Sequence, residues 1–401
     1  MKAFTEPLLS LAGFEEMTKT AEKSSGLISV TGCIDAQKSQ MIYAFGGHRK
    51  NKLIVTFGEQ KAKELYDEYS FFDKEVVYYP SKDVLFYQSD IRGNLLTAER
   101  IRALKAIREQ ERVTLVTTFD ALMNTMAPIE KMWENVLTLE QGQLLDLKEI
   151  QAALIRMGYE KEYQVQTMGQ FSVRGGILDV FPLTEENPIR IELWGDEIDT
   201  IRYFDCESQK SIENIDRVSI YPAAELVLSD EEKAGGIEKL KAEAKRVSDK
   251  LRKQMKTEEA HRVTVMADEL TEEWGELSMY AGMDAFLSYF FDERVGLLDY
   301  FNPSDSLIFF DELTRCAEQG KLTETEFSES MKQRLAMGYI LPGQMNGLFT
   351  EKEIVAKLEK YSCIALGALD NKANGLHQLG SYGIHCQSVS PYNNSFELLI
   401  K

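Results

Sequence analysis

Four near-continuously apolar runs, spaced by helical stretches, set the tightest limit on what the first third of this chain can become. They are residues 26–31 (GLISVT), 53–57 (LIVTF), 76–79 (VVYY) and 113–117 (VTLVT). A strand that is apolar on both sides belongs in a parallel sheet covered by helices, whereas a half-exposed antiparallel strand alternates. The stretch after the second run supplies a covering helix. Ala62, Leu65, Tyr66 and Tyr69 fall at i, i+3, i+4 and i+7, one stripe against a sheet. This is an α/β unit.

The texture changes after about residue 132. A helix comes first, with Ile150, Ala153, Leu154 and Met157 on one face and Gly158 as its C-terminal stop. Short strands then follow quickly over residues 170–221, with turn signals at Gly175-Gly176, Glu186-Asn187-Pro188 and Gly195-Asp196. There is little room for crossover helices, so this is a small antiparallel β-rich domain with a helix at its start. From about Pro222 a charged helix begins at Ser229-Asp230-Glu231-Glu232, its apolar stripe being Ile237, Leu240, Ala244, Val247 and Leu251. Buried-type strands return at residues 307–310 and 363–366. The chain divides into three segments, 1–132, 133–221 and 222–401. It ends on PYNNSFELLIK, where residues 396–400 start a helix with no cap, the mark of a chain cut from a longer one.

Composition removes several classes of function. Asp and Glu number 65 against 46 Lys and Arg, a net charge of −19, which opposes coating nucleic acid through the overall surface. No run approaches 18 apolar residues, so no membrane span is expected, and the N-terminus is too weakly apolar for a signal peptide. The five cysteines (Cys33, Cys206, Cys316, Cys363 and Cys386) are scattered and never form CxxC. The four histidines, among them His48 and His377, show no ligand spacing. No metal or other cofactor is expected, and a reduced, cytoplasmic compartment fits.

One candidate site follows the first strand. Gly32-Cys33-Ile34-Asp35-Ala36-Gln37-Lys38-Ser39 nearly spells the phosphate loop G-x-x-x-x-G-K-[ST] in the required strand-to-helix setting. Gln37 replaces the second glycine, whose missing Cβ lets backbone N–H groups wrap a phosphate. The alternative is an ordinary connection with a solvated Lys38. A second candidate is LIFFDE, a buried strand ending in Asp311 and Glu312. In phosphate-loop enzymes an acid here holds magnesium and another polarises water. Otherwise the two acids cap the next helix. Together the two motifs have a nucleotide-site layout with the wrong loop residues.

The third candidate lies in the middle segment. In residues 189–194 (IRIELW), Ile189, Ile191 and Leu193 face one way and Arg190, Glu192 and Trp194 the other. Tryptophan beside arginine on a polar strand face is the composition of an interface hot spot. It is equally that of an Arg–Trp stack with no partner. Arg174, just before Gly175-Gly176, can join them across a neighbouring strand.

The same segment resembles a known family. GQFSVRGGILDVFP and NPIRIELWGDEIDTIRYFDCESQKS are similar to the second domain of bacterial transcription-repair coupling factors, the Mfd family, and to a segment of the excision-repair protein UvrB. The similarity extends to the stretch from Tyr79-Pro80-Ser81-Lys82-Asp83 to Tyr87, to TAERIRAL, TTFDALM and FFDELTR, and to the closing VSPYNNSFELL. The stretch 226–296 is only generic.

The resemblance implies a degenerate P-loop, helicase-like α/β domain built from two chain segments, with a β-rich α+β domain inserted between them. Residues 1–132 and 222–401 would form the first and 133–221 the second. In this family the insert recruits UvrA to stalled transcription complexes. The positions carried over are Arg174, Arg190 and Trp194, the last often Phe, with Glu192 on the same face. Aligning VTG at 30–32 puts Ile34, Asp35 and Ala36 where an active protein has Gly-Lys-Thr, so either register implies loss of ATP hydrolysis and no enzyme activity in this segment. The family's translocase motor lies further along a chain of more than a thousand residues. RNA polymerase and DNA would be met only through those absent domains, and C-terminal domains would mask the UvrA face. The competing expectations are a phosphate-loop ATPase with an atypical loop and a DNA-binding helicase fragment.

Overall fold

The computed structural model describes residues 2–11, 13–45, 49–82, 94–276, 282–369 and 375–384. His48, Cys386, residues 83–87, the closing VSPYNNSFELL and the helix start expected at 396–400 lie outside the described residues. The first segment supplies β1 (Gly26–Thr31), β2 (Asn51–Thr56), β3 (Val77–Tyr79) and β4 (Val113–Thr118). The middle supplies β5 (Leu137–Glu140), β6 (Glu160–Lys161), β7 (Gln170–Arg174), β8 (Ile177–Val180), β9 (Ile189–Trp194), β10 (Glu197–Phe204), β11 (Ser211–Ile215) and β12 (Arg217–Ile220). The last supplies β13 (Ser306–Asp311), β14 (Ser362–Leu366) and β15 (Gln378–Gly383).

Strands from the two outer segments interleave in one seven-stranded sheet, ordered β15-β1-β14-β13-β2-β4-β3, with every pairing parallel. Period-two side-chain alternation sorts their apolar residues to two faces. Leu27, Leu53, Val55, Leu115, Ile308 and Phe310 enter one core, and Ile28, Val30, Ile54, Val116, Leu307 and Phe309 the other. Both faces are filled, as the continuous apolar runs required.

The middle segment forms a separate six-stranded sheet, β11-β10-β9-β8-β7-β6, antiparallel except that β6 runs parallel to β7. Its core joins Leu154 of the helix Leu147–Arg156 to Phe171, Leu178, Val180, Ile189, Ile191, Ile198 and Ile201. Gly158 takes φ 89° just past that helix, the left-handed stop expected there. The helix does not come first, however. β5 precedes it and pairs antiparallel with β12, so the segment's two ends lie side by side.

The generic stretch is a helical hairpin. The helix Asp230–Lys253, opened by a reciprocal Ser229–Glu232 capping box, packs on Thr257–Glu276 around Leu240, Ala244, Ala260 and Val263.

A buried ionic cluster holds these parts together. Arg100 is fully buried and donates from Nε and Nη2 to the two Glu225 carboxylate oxygens at 2.7 and 3.0 Å. Its Nη1 donates to the Pro80 carbonyl at 2.6 Å, and its Nη2 also bonds the Tyr79 hydroxyl. Lys82 lies 2.9 Å from Glu225 and also pairs with Asp284. Glu225 sits where the chain leaves the middle segment, so one carboxylate ties the sheet's β3 end to that exit, and Lys82 extends the tie to the helical region.

Burial alone would push the Glu225 carboxyl up. Arg100 and Lys82 outweigh it and hold the group well below its ordinary 4.5. A carboxylate depressed by folding adds stability that is present above its unfolded pKa and lost as pH falls below it. Glu225→Gln is therefore expected to cost about 3–5 kcal/mol at pH 7, as for breaking a buried pair. In urea unfolding, the gap between native and variant should narrow steadily as pH drops below 4.5.

Candidate functional site

The polar face of the six-stranded sheet gathers two arginines around one acid. Strand register sets Asp179 of β8 opposite Arg190 of β9, and Ser172 of β7 opposite Asp179, with Arg174 two residues further on the same face. Asp179 is 1% exposed. It accepts from Arg190 Nε at 2.7 Å and Nη2 at 2.8 Å, and from Arg174 Nη2 at 2.7 Å. Arg190 Nη2 also donates to Gln209 Oε1 at 2.8 Å, and its guanidinium stacks 4.3 Å from the Phe204 ring centroid. The Asp179 hydrogen bonds push the Arg190 pKa further up, so it is a fixed cation at any working pH.

Glu192 does not join this cluster. It takes a two-pronged pair from Arg202 on β10 and a 3.3 Å bond from Thr200, and Arg202 chiefly holds its carboxyl below the ordinary range. Arg190 and Arg202 are themselves neighbours across β9 and β10. Each like charge is thus matched to its own acid.

Trp194, at the end of β9, is 84% exposed. It does not stack on Arg190, whose aromatic partner is Phe204. It borders an open cleft of about 720 Å³ lined by Glu140, Glu197, Asp199, Asp216 and Arg217. An indole left in water beside carboxylates fits a protein surface rather than a phosphate backbone. Sequence reasoning brought out Arg174, Arg190 and Trp194 but not Asp179, Gln209 or Phe204. The period-two signal in ILDV places Asp179 opposite its apolar neighbours. Only the pairing register, set across the long 181–188 connection, puts it against Arg190.

The loop after β1, expected from its sequence to resemble a phosphate loop, is packed by the protein's own groups. Lys38 is not solvated. It is 1% exposed in the first turns of the helix Asp35–Phe45. Its Nζ reaches Asp311 Oδ1, Asp35 Oδ1 at 2.8 Å and Glu312 Oε1 at 3.2 Å, while Thr56 donates to Asp311 Oδ2 at 2.8 Å. Burial pulls the ammonium's pKa down, but Asp311 and the flanking acids overcome it and leave it well above normal. Lys38 and the acids Asp311, Asp35 and Glu312 neutralise one another.

Glu312 occupies the position before the helix Leu313–Ala336 at φ 57° but does not cap it. Its carboxylate instead accepts from Lys38 and the Ala368 amide. Gly32, at φ 74°, is required for another reason than phosphate: a Cβ there would lie 2.1 Å from the Ile384 carbonyl oxygen, and Ile384 donates its amide to Thr31. Ile34 is exposed, Asp35 also pairs with Lys61 at 3.0 Å, Ser39 bonds Glu68 at 3.2 Å, and Ala36 and Gln37 lie in the first helical turn. Among the described residues, no group of three or more His, Cys, Asp or Glu is arranged to hold a metal ion, and no helix is long and apolar enough to cross a membrane.

The chain thus joins a two-segment α/β domain to a β-rich insert that carries arginines and an exposed tryptophan on one sheet face. Residues 137–226 match the family model for the UvrB interaction domain. The transcription-repair-coupling factor of Bacillus subtilis (strain 168) is 29% identical over 309 residues, covering 77% of this chain and 26% of that protein. Those of Staphylococcus haemolyticus and Staphylococcus aureus (strain MRSA252) are each 28% identical, over 79% and 82% of this chain and 27% and 28% of theirs. The chain spans about a quarter of the length of these curated relatives. Residues 137–226 are thus similar to the UvrB interaction domain, and the chain as a whole is similar to part of the transcription-repair-coupling factors.

Because Asp311 and Glu312 depend on Lys38, Lys38→Ala strands two acids, one fully buried. It should cost about 3–5 kcal/mol of stability in urea unfolding.

Proposed function

We propose that this chain is the UvrA-recruiting adaptor of a transcription-repair coupling factor. Residues 133–221 form the UvrA-binding domain, and residues 1–132 with 222–401 form a scaffold that does not hydrolyse ATP. Arg174, Arg190 and Trp194 make the contact, with Glu192 at its edge. The observation that carries this reading is Trp194, exposed to 84% at the end of the same strand that holds Arg190. Aromatic and arginine anchors of this kind dominate interface energetics. The DNA-translocase motor, and the contacts with RNA polymerase and DNA, belong to domains outside this chain, in the cytoplasm. C-terminal domains of the longer protein mask the face until it is needed.

The Lys38–Asp311 pair supports the scaffold role, since Mg-ATP would have to break a buried ion pair to enter. Calorimetric titration with Mg-ATP should give no binding, and submillimolar affinity would restore the atypical-ATPase reading. Titration with purified UvrA should show saturable binding. Trp194→Ala and Arg190→Ala are each expected to weaken it by about 2 kcal/mol or more, roughly 30-fold, with unchanged circular dichroism. Native affinity in both variants would sink the adaptor reading.

A further inference from the structure

Asp179 is buried to 1% and accepts three hydrogen bonds from two arginines, yet no role at the interface has been given to it. Its two oxygens hold Arg190 by the Nε and Nη2 edge and Arg174 by Nη2. Gln209 takes the other Nη2 hydrogen of Arg190, and the Phe204 ring covers the guanidinium's flat side. The Nη1 groups of both arginines have no hydrogen-bond partner among the described residues. Arg174 keeps 36% of its side chain exposed and Arg190 13%. Two guanidiniums on one carboxylate leave a net positive charge, and the nearby Glu192 is already matched by Arg202.

We propose that Asp179 is the positioning residue of this face, orienting both guanidiniums so that their Nη1 groups together take one carboxylate of the partner. The idea rests on the UvrA-binding reading above. Free arginine side chains lose rotamer entropy on docking, and a pair already fixed loses less. The planar fork also demands a geometry that a mere positive charge would not. An amide at position 179 would present an NH₂ to one guanidinium and release it, with little change in volume.

The test is titration of the whole chain with purified UvrA, using Asp179→Asn, Arg190→Ala, Trp194→Ala and the Asp179→Asn/Arg190→Ala double variant. Asp179→Asn is expected to lower affinity tenfold or more, yet to cost less than threefold further in the Arg190→Ala background. A purely structural role would shift the unfolding midpoint without producing that non-additivity. Native affinity in Asp179→Asn, or an equal loss in both backgrounds, overturns the positioning role while leaving the adaptor reading intact. Native affinity in Trp194→Ala and Arg190→Ala overturns the adaptor reading and this proposal with it. Should Asp179→Asn fail to fold, the half-buried Arg174→Lys decides. Affinity reduced tenfold supports a held guanidinium, and native affinity, meaning that charge alone suffices, overturns it.

Discussion

Parallel pairing between distant parts of the chain is the constraint on which everything else rests. β1 lies between β14 and β15, and β2 between β13 and β4, so neither outer segment can complete a sheet alone. Parallel strands need crossovers, and here one crossover has grown to hold a whole β-rich domain and a helical hairpin. The Arg100–Glu225 cluster lies at the return point, where burial makes its geometry expensive to break.

The loop after β1 shows how a buried lysine and the acids around it settle when each can reach the others. In this chain, Lys38, Asp35, Asp311 and Glu312 have closed on each other, and the Ile384 backbone lies against Gly32. Their ion pairs fasten β13 to the helix Asp35–Phe45. Electrostatics alone accounts for this, since a buried ammonium requires an anion and the nearest carboxylates supply it.

Much of this was legible in the sequence, and the rest was hidden for specific reasons. Runs such as VTLVT and LIFF marked the parallel sheet because both their faces are buried. β15 was not legible, because QLGSYG is a half-exposed edge strand with two glycines and no apolar run. β5 was missed because LTLE is four residues long and finds its partner, β12, only across the entire insert. At the site, period two placed Arg190 and Trp194 on the outer face. It could not reveal that Asp179 lies against Arg190, or that Glu192 belongs to Arg202, because those pairings depend on cross-strand register. Lys38 read equally as a solvated loop residue, since burial of a charge is decided by partners 273 residues away in the chain.

The pairing of β5 with β12 means that the insert's two ends emerge next to each other. A domain whose ends already touch needs almost no loop closure to be spliced into a host, because closure cost grows with the gap to be spanned. The same geometry lets such a unit be transplanted between chains without disturbing the sheet that receives it. Portability of this sort is a property of the connection alone, and it leaves the insert's polar sheet face untouched by changes in the host domain.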